Sequence, residues 1–331
     1  MDLTIIIPVY NSTATIESCL LSIQQQQTDY TYEVVAVDDG STDGSLALLH
    51  KLQQQYSWLK VLTQPNSKQA AARNLGLTAA TGEYVAFIDI DDTLAQSYIE
   101  QMLQPLKENK RLKWMICGIR KKWTTEKEVI EAHTVFEQAA QLTQLSLVGR
   151  YLNRNQEMDA GLWNKVFSRK MIEQNHLKFL NRNFYEDMLF NLDYFLCLEG
   201  DGIQTTTTVL YTLNRELNSS TTTSFDPMMD QLTDHFYHLV QALLTKRFGQ
   251  SAQLKKILAT LNVRLTIHKI HYHFVTDATW KRRDTKRLAK QNIQLKSVFH
   301  YYDLDRRYQL SCIGLRLLPG FYQHYYLKKW Q

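Results

Sequence analysis

Residues 83–94 read "EYVAFIDIDDTL". Residues 84–88 are an unbroken apolar run, as a strand buried on both faces requires. Three carboxylates, Asp89, Asp91 and Asp92, then crowd its end. Charge at the rim of a closing core needs a counter-charge, so the question is what these acids hold. In an extended chain Asp89 and Asp91, two apart, face one side. Together they make a hard oxygen site suited to Mg²⁺ or Mn²⁺. The plainer alternative is a solvated acidic turn in which Asp92 caps the next segment.

Working outward, strand and helix signals alternate through the first hundred residues. Apolar runs at 3–9, 32–39, 59–64 and 83–90 predict four strands. Between them, "TATIESCLLSIQQQ", "STDGSLALLHKLQQQY" and "KQAAARNLGLTAA" predict helices, with Ser41 or Thr42 capping the second. A fourth helix comes next, where Ser97 and Glu100 suggest a capping box. This order predicts an α/β fold with an open, mostly parallel sheet flanked by helices, binding ligands at the strands' carboxyl ends. Residues 111–215 are less regular, with strands at "LKWMICGIRKKW" and "GIQTTTTVLYTLN" and helices at "VFEQAAQLTQLSLVGRYL" and 185–200. A Ser/Thr-rich stretch, 217–227, has the texture of a mobile loop, and residues 230–331 carry helical apolar stripes.

Charge divides the chain. Residues 1–230 hold 20 Lys and Arg against 28 Asp and Glu, whereas residues 231–331 hold 18 against 5, together giving the net +5. This contrast predicts a boundary near 225–230, with an α/β domain over 1–225 and then a basic helical region at 226–331. The four cysteines show no metal or disulfide spacing and fit a reducing compartment. No leader precedes the first strand, and no apolar run approaches the ~18 residues of a membrane span. A cytoplasmic protein, peripheral at the inner face of the membrane, is the expectation.

Three further constellations bear on chemistry. "VDDGSTD" (37–43) puts Asp38 and Asp39 at a strand end, where carboxylates can accept from a ligand or simply cap a turn. "FYEDMLF" (184–190) places Glu186 and Asp187 at a helix start, as a general base with an acidic neighbour or as ordinary N-terminal acids. Arg73 and Lys68 could meet a diphosphate, or be a surface pair on a helix.

Taken in order, "IIPVYN", "VDDGSTDGS", "ARNLGL", "TGEYVAFIDIDD", "WNKVF" and "YEDMLFNL" closely resemble the glycosyltransferase family numbered 2, over roughly residues 3–215. The resemblance implies a GT-A fold, Rossmann-like, whose catalytic domain over 1–225 has a nucleotide-binding half at 1–110 and an acceptor-binding half at 111–225, and inverting transfer of a sugar from a nucleotide donor, often UDP-linked. It implies that Asp39, with Asp38 nearby, meets the base, that Pro8, Val9 and Tyr10 line the nucleoside pocket, and that Asp89 and Asp91 serve ribose and metal. Asp187 would be the catalytic base, Glu186 its neighbour, and Trp163 a residue lining the acceptor site or a core aromatic. Two departures stand out. Ile90 occupies the usual small position of the acid motif, where it would narrow the donor-sugar pocket, and Gln69 and Ala70 replace the usual Gly and Ser.

The basic region falls outside the resemblance. Its cations interleaved with Trp280, Tyr322, Tyr325, Tyr326 and Trp330 suggest an anionic membrane surface, and lipid-linked or other glycan acceptors would suit one. An oligomerisation module is the alternative; nucleic acid has no motif to support it. The expected activity is assembly of a cell-surface polysaccharide, with transfer to a protein or teichoic-acid-like acceptor as a variant. A non-catalytic scaffold relative is the rival class, disfavoured by the joint presence of Asp39, Asp89, Asp91 and Asp187. Nucleotidyl transfer lacks its glycine-rich entry loop.

Overall fold

The apolar runs of the first hundred residues become parallel strands β1 (Leu3–Val9), β2 (Tyr32–Asp38), β3 (Leu59–Thr63) and β4 (Tyr84–Phe87). Helices α1 (Ile16–Gln24), α2 (Ser45–Gln53) and α3 (Lys68–Ala79) connect them. The computed structural model describes residues 1–125, 127–154, 156–180, 185–198, 202–215 and 226–330. Most of the stretch expected to be a mobile loop, 217–227, lies outside them. Next come β5 (Thr93–Leu94), α4 (Tyr98–Glu108), β6 (Trp114–Trp123), β7 (Glu128–Glu131) and a 3₁₀ turn (Val135–Gln138). Then come α5 (Gln144–Arg154), α6 (Glu157–Ala160), β8 (Lys165–Ser168), α7 (Arg169–Gln174), α8 (Glu186–Leu196) and β9 (Ile203–Arg215).

The sheet runs β3-β2-β1-β4-β8-β6-β9-β5, with β7 paired to β6. Its first four strands are all parallel, as expected. Beyond β4 the sheet is mixed: β8 is antiparallel to both β4 and β6, and β9 is parallel to β6 but antiparallel to β5. The regular helix crossover that enforces parallel pairing stops at α4, and β6 returns through a short turn to β7. Chain order reverses at β1, since β2 and β3 lie to one side and β4 to the other. Ligands of open α/β sheets bind at such a switch point. Here it is flanked by the ends of β2 and β4, where both acid groups sit.

Local expectations fail where tertiary contacts offer better partners. Ser97 makes no capping bond, and Glu100 instead accepts from Thr28 Oγ1 at 2.7 Å. The second helix starts later than Ser41 or Thr42 suggests, after Gly44 at φ 93°. The single helix expected across 135–152 is broken into the 3₁₀ turn and α5.

Contacts divide the chain into two units, Met1–Gln144 with Gln156–Leu217, and Leu145–Asn155 with Asn218–Gln331. The second unit thus takes most of α5 from the middle of the sequence, held there by Asn153 Nδ2 donating to Tyr302 O at 3.1 Å. Its other helices are α9 (Met229–Phe248), α10 (Ala252–Thr276), α11 (Arg282–Asn292), a 3₁₀ turn (Leu295–His300), α12 (Arg306–Leu317) and α13 (Pro319–Trp330). Val263, Ile267, Ile270, Ala289, Cys312 and Leu315 form the heart of its core. The aromatic residues expected at a membrane mostly turn inward. Trp280 stacks on His273 with centroids 3.9 Å apart, and Tyr322 and Tyr326 pack against that core. Tyr325 alone of the described ones is exposed; the side chain of Trp330 lies outside the described residues. No described helix is long and apolar enough to cross a membrane.

Candidate active site

At the end of β2, Asp38 and Asp39 are both buried. Asp38 Oδ2 accepts the backbone N–H groups of Gly40 and Ser41, each at 3.2 Å, an arrangement that needs Gly40 at φ 73°. Asp39 Oδ1 accepts from Gln64 Nε2 at 2.7 Å and from Ser67 N, at the start of α3, at 2.8 Å. Asp39 N donates to Val9 O at 2.8 Å, tying this turn to the end of β1. Pro8 and Val9 are buried there, and Tyr10 is 50% exposed. Asp38 Oδ1 is buried with no partner among the described residues, so the turn retains one unused acceptor.

The second acid group departs from the expected strand. β4 ends at Phe87, and Asp92 N closes a turn onto Asp89 O at 3.1 Å. The turn, rather than an extended alternation, gathers the acids: carboxylate oxygens of Asp89, Asp91 and Asp92 lie within 4.8 Å of one another. Asp92 is spent structurally, accepting from Tyr211 Oη at 2.7 Å and from Asn214 N at 2.9 Å. Tyr211 Oη also accepts from Asp89 N at 3.2 Å, and Asn214 Nδ2 donates to Asp91 O at 2.9 Å. Thus β9 clasps the whole turn. Burial, and then the charges of Asp89 and Asp91, push the Asp92 carboxyl well above the usual range. Asp91 is exposed and Asp89 partly so. Clustered carboxylates that repel one another, two of them reaching solvent, fit a hard divalent cation.

Arg73 joins this turn to the third constellation. Its guanidinium, 1% exposed, meets Asp89 Oδ1 at 3.2 Å and Asp187 Oδ1 at 2.6 Å. It is therefore no surface pair with Lys68, which stands exposed at the start of α3. α3 can lie this close to β1 because Gly76 has no side chain; a Cβ there would stand 2.4 Å from Ile6 Cγ2. Burial works against the Arg73 charge, but Asp187 and Asp89 outweigh it and raise its pKa. Asp187, 28% exposed, is raised chiefly by burial, with Arg73 opposing. Burial and then Asp187 raise Glu186 to about 7.

Two expectations change. Trp163 is 5% exposed and stacks on Tyr211 with centroids 5.3 Å apart, so its ring braces the strand that holds Asp92 and offers an acceptor little surface. Ile90, 7% exposed, is packed inside the protein, where it anchors the turn instead of narrowing an open pocket.

Four residues without an assigned role turn out to build the site. Tyr211 and Asn214 grip the acid turn. Gln69, one of the two departures from the family pattern, donates to Asp89 Oδ1 at 3.1 Å. Asn74 exchanges two hydrogen bonds with the backbone of Phe179, whose ring lies beneath the Arg73 guanidinium. The only sequence signal for Asn74 was its place beside Arg73.

Comparisons with known proteins bear on the family and the fold. Residues 4–176 match Glycosyl transferase family 2. Over 193 residues the chain is 31% identical to the glycosyltransferase EpsH of Bacillus subtilis (strain 168), covering 57% of this chain and 54% of that one, about half its length. It is 26% identical over 311 residues to EpsJ of the same organism, an uncharacterized glycosyltransferase, covering 92% and 85% of the two chains. The crystal structure of S. aureus TarS 1–349 in complex with UDP superposes with a TM-score of 0.65 at 19% identity, covering 95% and 87%. That likeness establishes the GT-A architecture.

Proposed function

Since this chain belongs to Glycosyl transferase family 2, we propose that it transfers a sugar, with inversion, from a UDP-linked donor to a hydroxyl of a glycan or lipid-linked acceptor. The product is a cell-surface polysaccharide, and the basic helical region brings the enzyme to the anionic inner face of the membrane. The observation that carries the chemical reading is the double ion pair of Arg73, which fixes a candidate donor-side acid, Asp89, beside a candidate base, Asp187. UDP bound to TarS, a protein of like fold, supports the choice of nucleotide.

In this reading the turn at Asp38 and Asp39 receives the base, beside the β1 end at Pro8, Val9 and Tyr10. Its buried, unpaired Asp38 Oδ1 supports a ligand N–H or O–H there. Asp91 and Asp89 would hold Mn²⁺ or Mg²⁺, whose charge offsets that of a diphosphate leaving group. Lys68, exposed beside Ser67 and so close in sequence to the Asp39 contact, would meet the nucleotide's negative charge. Asp187 accepts the proton of the acceptor hydroxyl as its oxygen attacks the anomeric carbon from the face opposite the leaving group. Its raised pKa keeps it basic enough for that transfer, and Arg73 orients its carboxylate. Glu186, itself raised to about 7 by burial and then by Asp187, is its acidic neighbour.

The test is hydrolysis of a nucleotide-sugar panel with Mn²⁺, Mg²⁺ or chelator. The wild type turns over one UDP-sugar in a metal-dependent manner, whereas Asp187→Ala binds UDP and does not turn over. A wild type that binds no nucleotide contradicts the enzyme reading and favours a scaffold.

A further inference from the structure

The second unit carries a surface that its own folding leaves unexplained. In the hairpin of α12 and α13 the inward positions are filled: Ser311, Cys312 and Leu315 are buried, and Tyr322 and Tyr326 pack on the core. Nevertheless Leu310, Leu317, Leu318, Phe321 and Tyr325 are 59–70% exposed. Leu310 and Leu317, seven apart, share a face of α12. Leu318, Phe321 and Tyr325 fall at i, i+3 and i+7, so they stack along one face of α13, the first at its threshold. The two stripes meet at the sharp connection between Leu317 and Pro319. Large apolar side chains gathered this way on a soluble surface mark a site of contact.

Cations border that corner. Lys281, Arg282, Arg283, Lys286, Arg287 and Lys290, on and just before α11, are all exposed. Their helix abuts the corner, because Arg282 Nε lies 3.3 Å from where a Cβ on Gly320 would stand. Arg316 Nε also donates to Ile293 O at the end of α11, at 3.0 Å. Asp284 is the one acid of that helix, and it pairs with Arg287.

We propose that this apolar corner, with the cationic face of α11 beside it, docks the chain on an anionic lipid bilayer. The proposal rests on the membrane reading above and specifies the side chains that carry it. Charge complementarity selects the occupant. The segment 231–331 carries 18 cations against 5 acids, so a second copy applied to the same face would meet its own charge. Three of the five exposed side chains of the corner, Leu310, Leu317 and Leu318, are aliphatic and offer nucleic-acid bases no plane to stack on, whereas Phe321 and Tyr325 suit a bilayer boundary as well. An anionic bilayer satisfies both components, taking the apolar side chains into its boundary and the cations at its headgroups.

The experiment is flotation of the full chain with phosphatidylcholine vesicles, with and without phosphatidylglycerol, at low and high salt. Wild type floats with the phosphatidylglycerol vesicles and releases in salt. The double substitution Leu318→Ser with Phe321→Ser weakens that binding at least about tenfold, since it removes two apolar insertions. Arg283→Glu with Lys286→Glu weakens it comparably, and neither pair alters UDP binding or the far-UV circular dichroism. A wild type that floats with no vesicle overturns the membrane reading and the docking face together. Loss in the charge variant with full binding in the apolar variant leaves the membrane reading standing and overturns the corner. Self-association in sedimentation that Phe321→Ser abolishes, or DNA binding in place of vesicle binding, also overturns it.

Discussion

Two acidic turns end neighbouring regions of one sheet, and their carboxylates meet different partners. At the end of β2, Asp38 and Asp39 accept three backbone N–H groups and one side-chain amide. At the end of β4, Asp89 and Asp92 take a buried guanidinium, an amide, a phenol and one backbone N–H, while Asp91 faces solvent. Neutral donors hold the first turn, and its buried, unpaired Asp38 Oδ1 leaves it a hydrogen-bonding receptor. The second keeps three carboxylates within 4.8 Å of one another, the donor set proposed above for a divalent cation. The same pair of letters in sequence acquires different chemistry from its surroundings.

The sharpest way to break this contrast is at Asp187, the proposed base that Arg73 ties to the second turn. Asp187→Asn is expected to lower kcat by about 10²–10⁴-fold with UDP affinity unchanged, measured by turnover alongside calorimetry. Equal losses in rate and UDP affinity would remove Asp187 from the chemistry. Next in size is Arg73→Leu. Removing one partner of a buried pair is expected to cost about 3 kcal/mol in urea unfolding, because Asp89 and Asp187 then face each other unpaired. Substitution of exposed Lys68 by Leu should leave unfolding within experimental error.

Smaller again is Tyr211→Phe, which removes the phenol from Asp92 and Asp89 N. Metal affinity should fall about 10–100-fold, as for other residues that orient ligands, and unfolding should become easier by about 1–3 kcal/mol because a buried Asp92 oxygen loses its donor. An unchanged Mn²⁺ titration would mean that β9 does not set the turn. The mildest effect is in pH. Glu186 is raised to about 7, so between the ordinary carboxylate value and 7 the folded chain binds more protons than the unfolded one. Stability contributed by Glu186 therefore declines as pH rises through that window, while turnover climbs as the acid pair ionises and levels off above it. Melting wild type and Glu186→Gln from pH 4.5 to 7 checks the sign: the wild type should lose ground to the variant as pH rises.

Much of the first hundred residues was legible in sequence, because their order is local: apolar runs, turn residues and acids all lie within one strand and its loop. Arg73 reads as a surface cation in sequence because its partner Asp187 is 114 residues away. Asp92 stays ambiguous there because the phenol that engages it is 119 residues away. Glu100 looks like a cap until Thr28, 72 residues distant, competes for it. Beyond α4 the sheet has no repeating crossover to announce which strands pair, so its mixed direction emerges only in three dimensions. The outward leucines of α12 are likewise hidden, since helical periodicity alone does not say which of two apolar stripes a core will choose.

The most direct test titrates uridine and UDP into wild type, Asp39→Ala and Asp91→Ala, each with and without Mn²⁺. Asp39→Ala should weaken uridine and UDP alike, with or without metal. Asp91→Ala should leave uridine binding intact and abolish only the increment that Mn²⁺ adds for UDP. If Asp91→Ala weakens uridine, or if Mn²⁺ adds nothing to UDP binding in the wild type, the division of labour between the two turns is wrong.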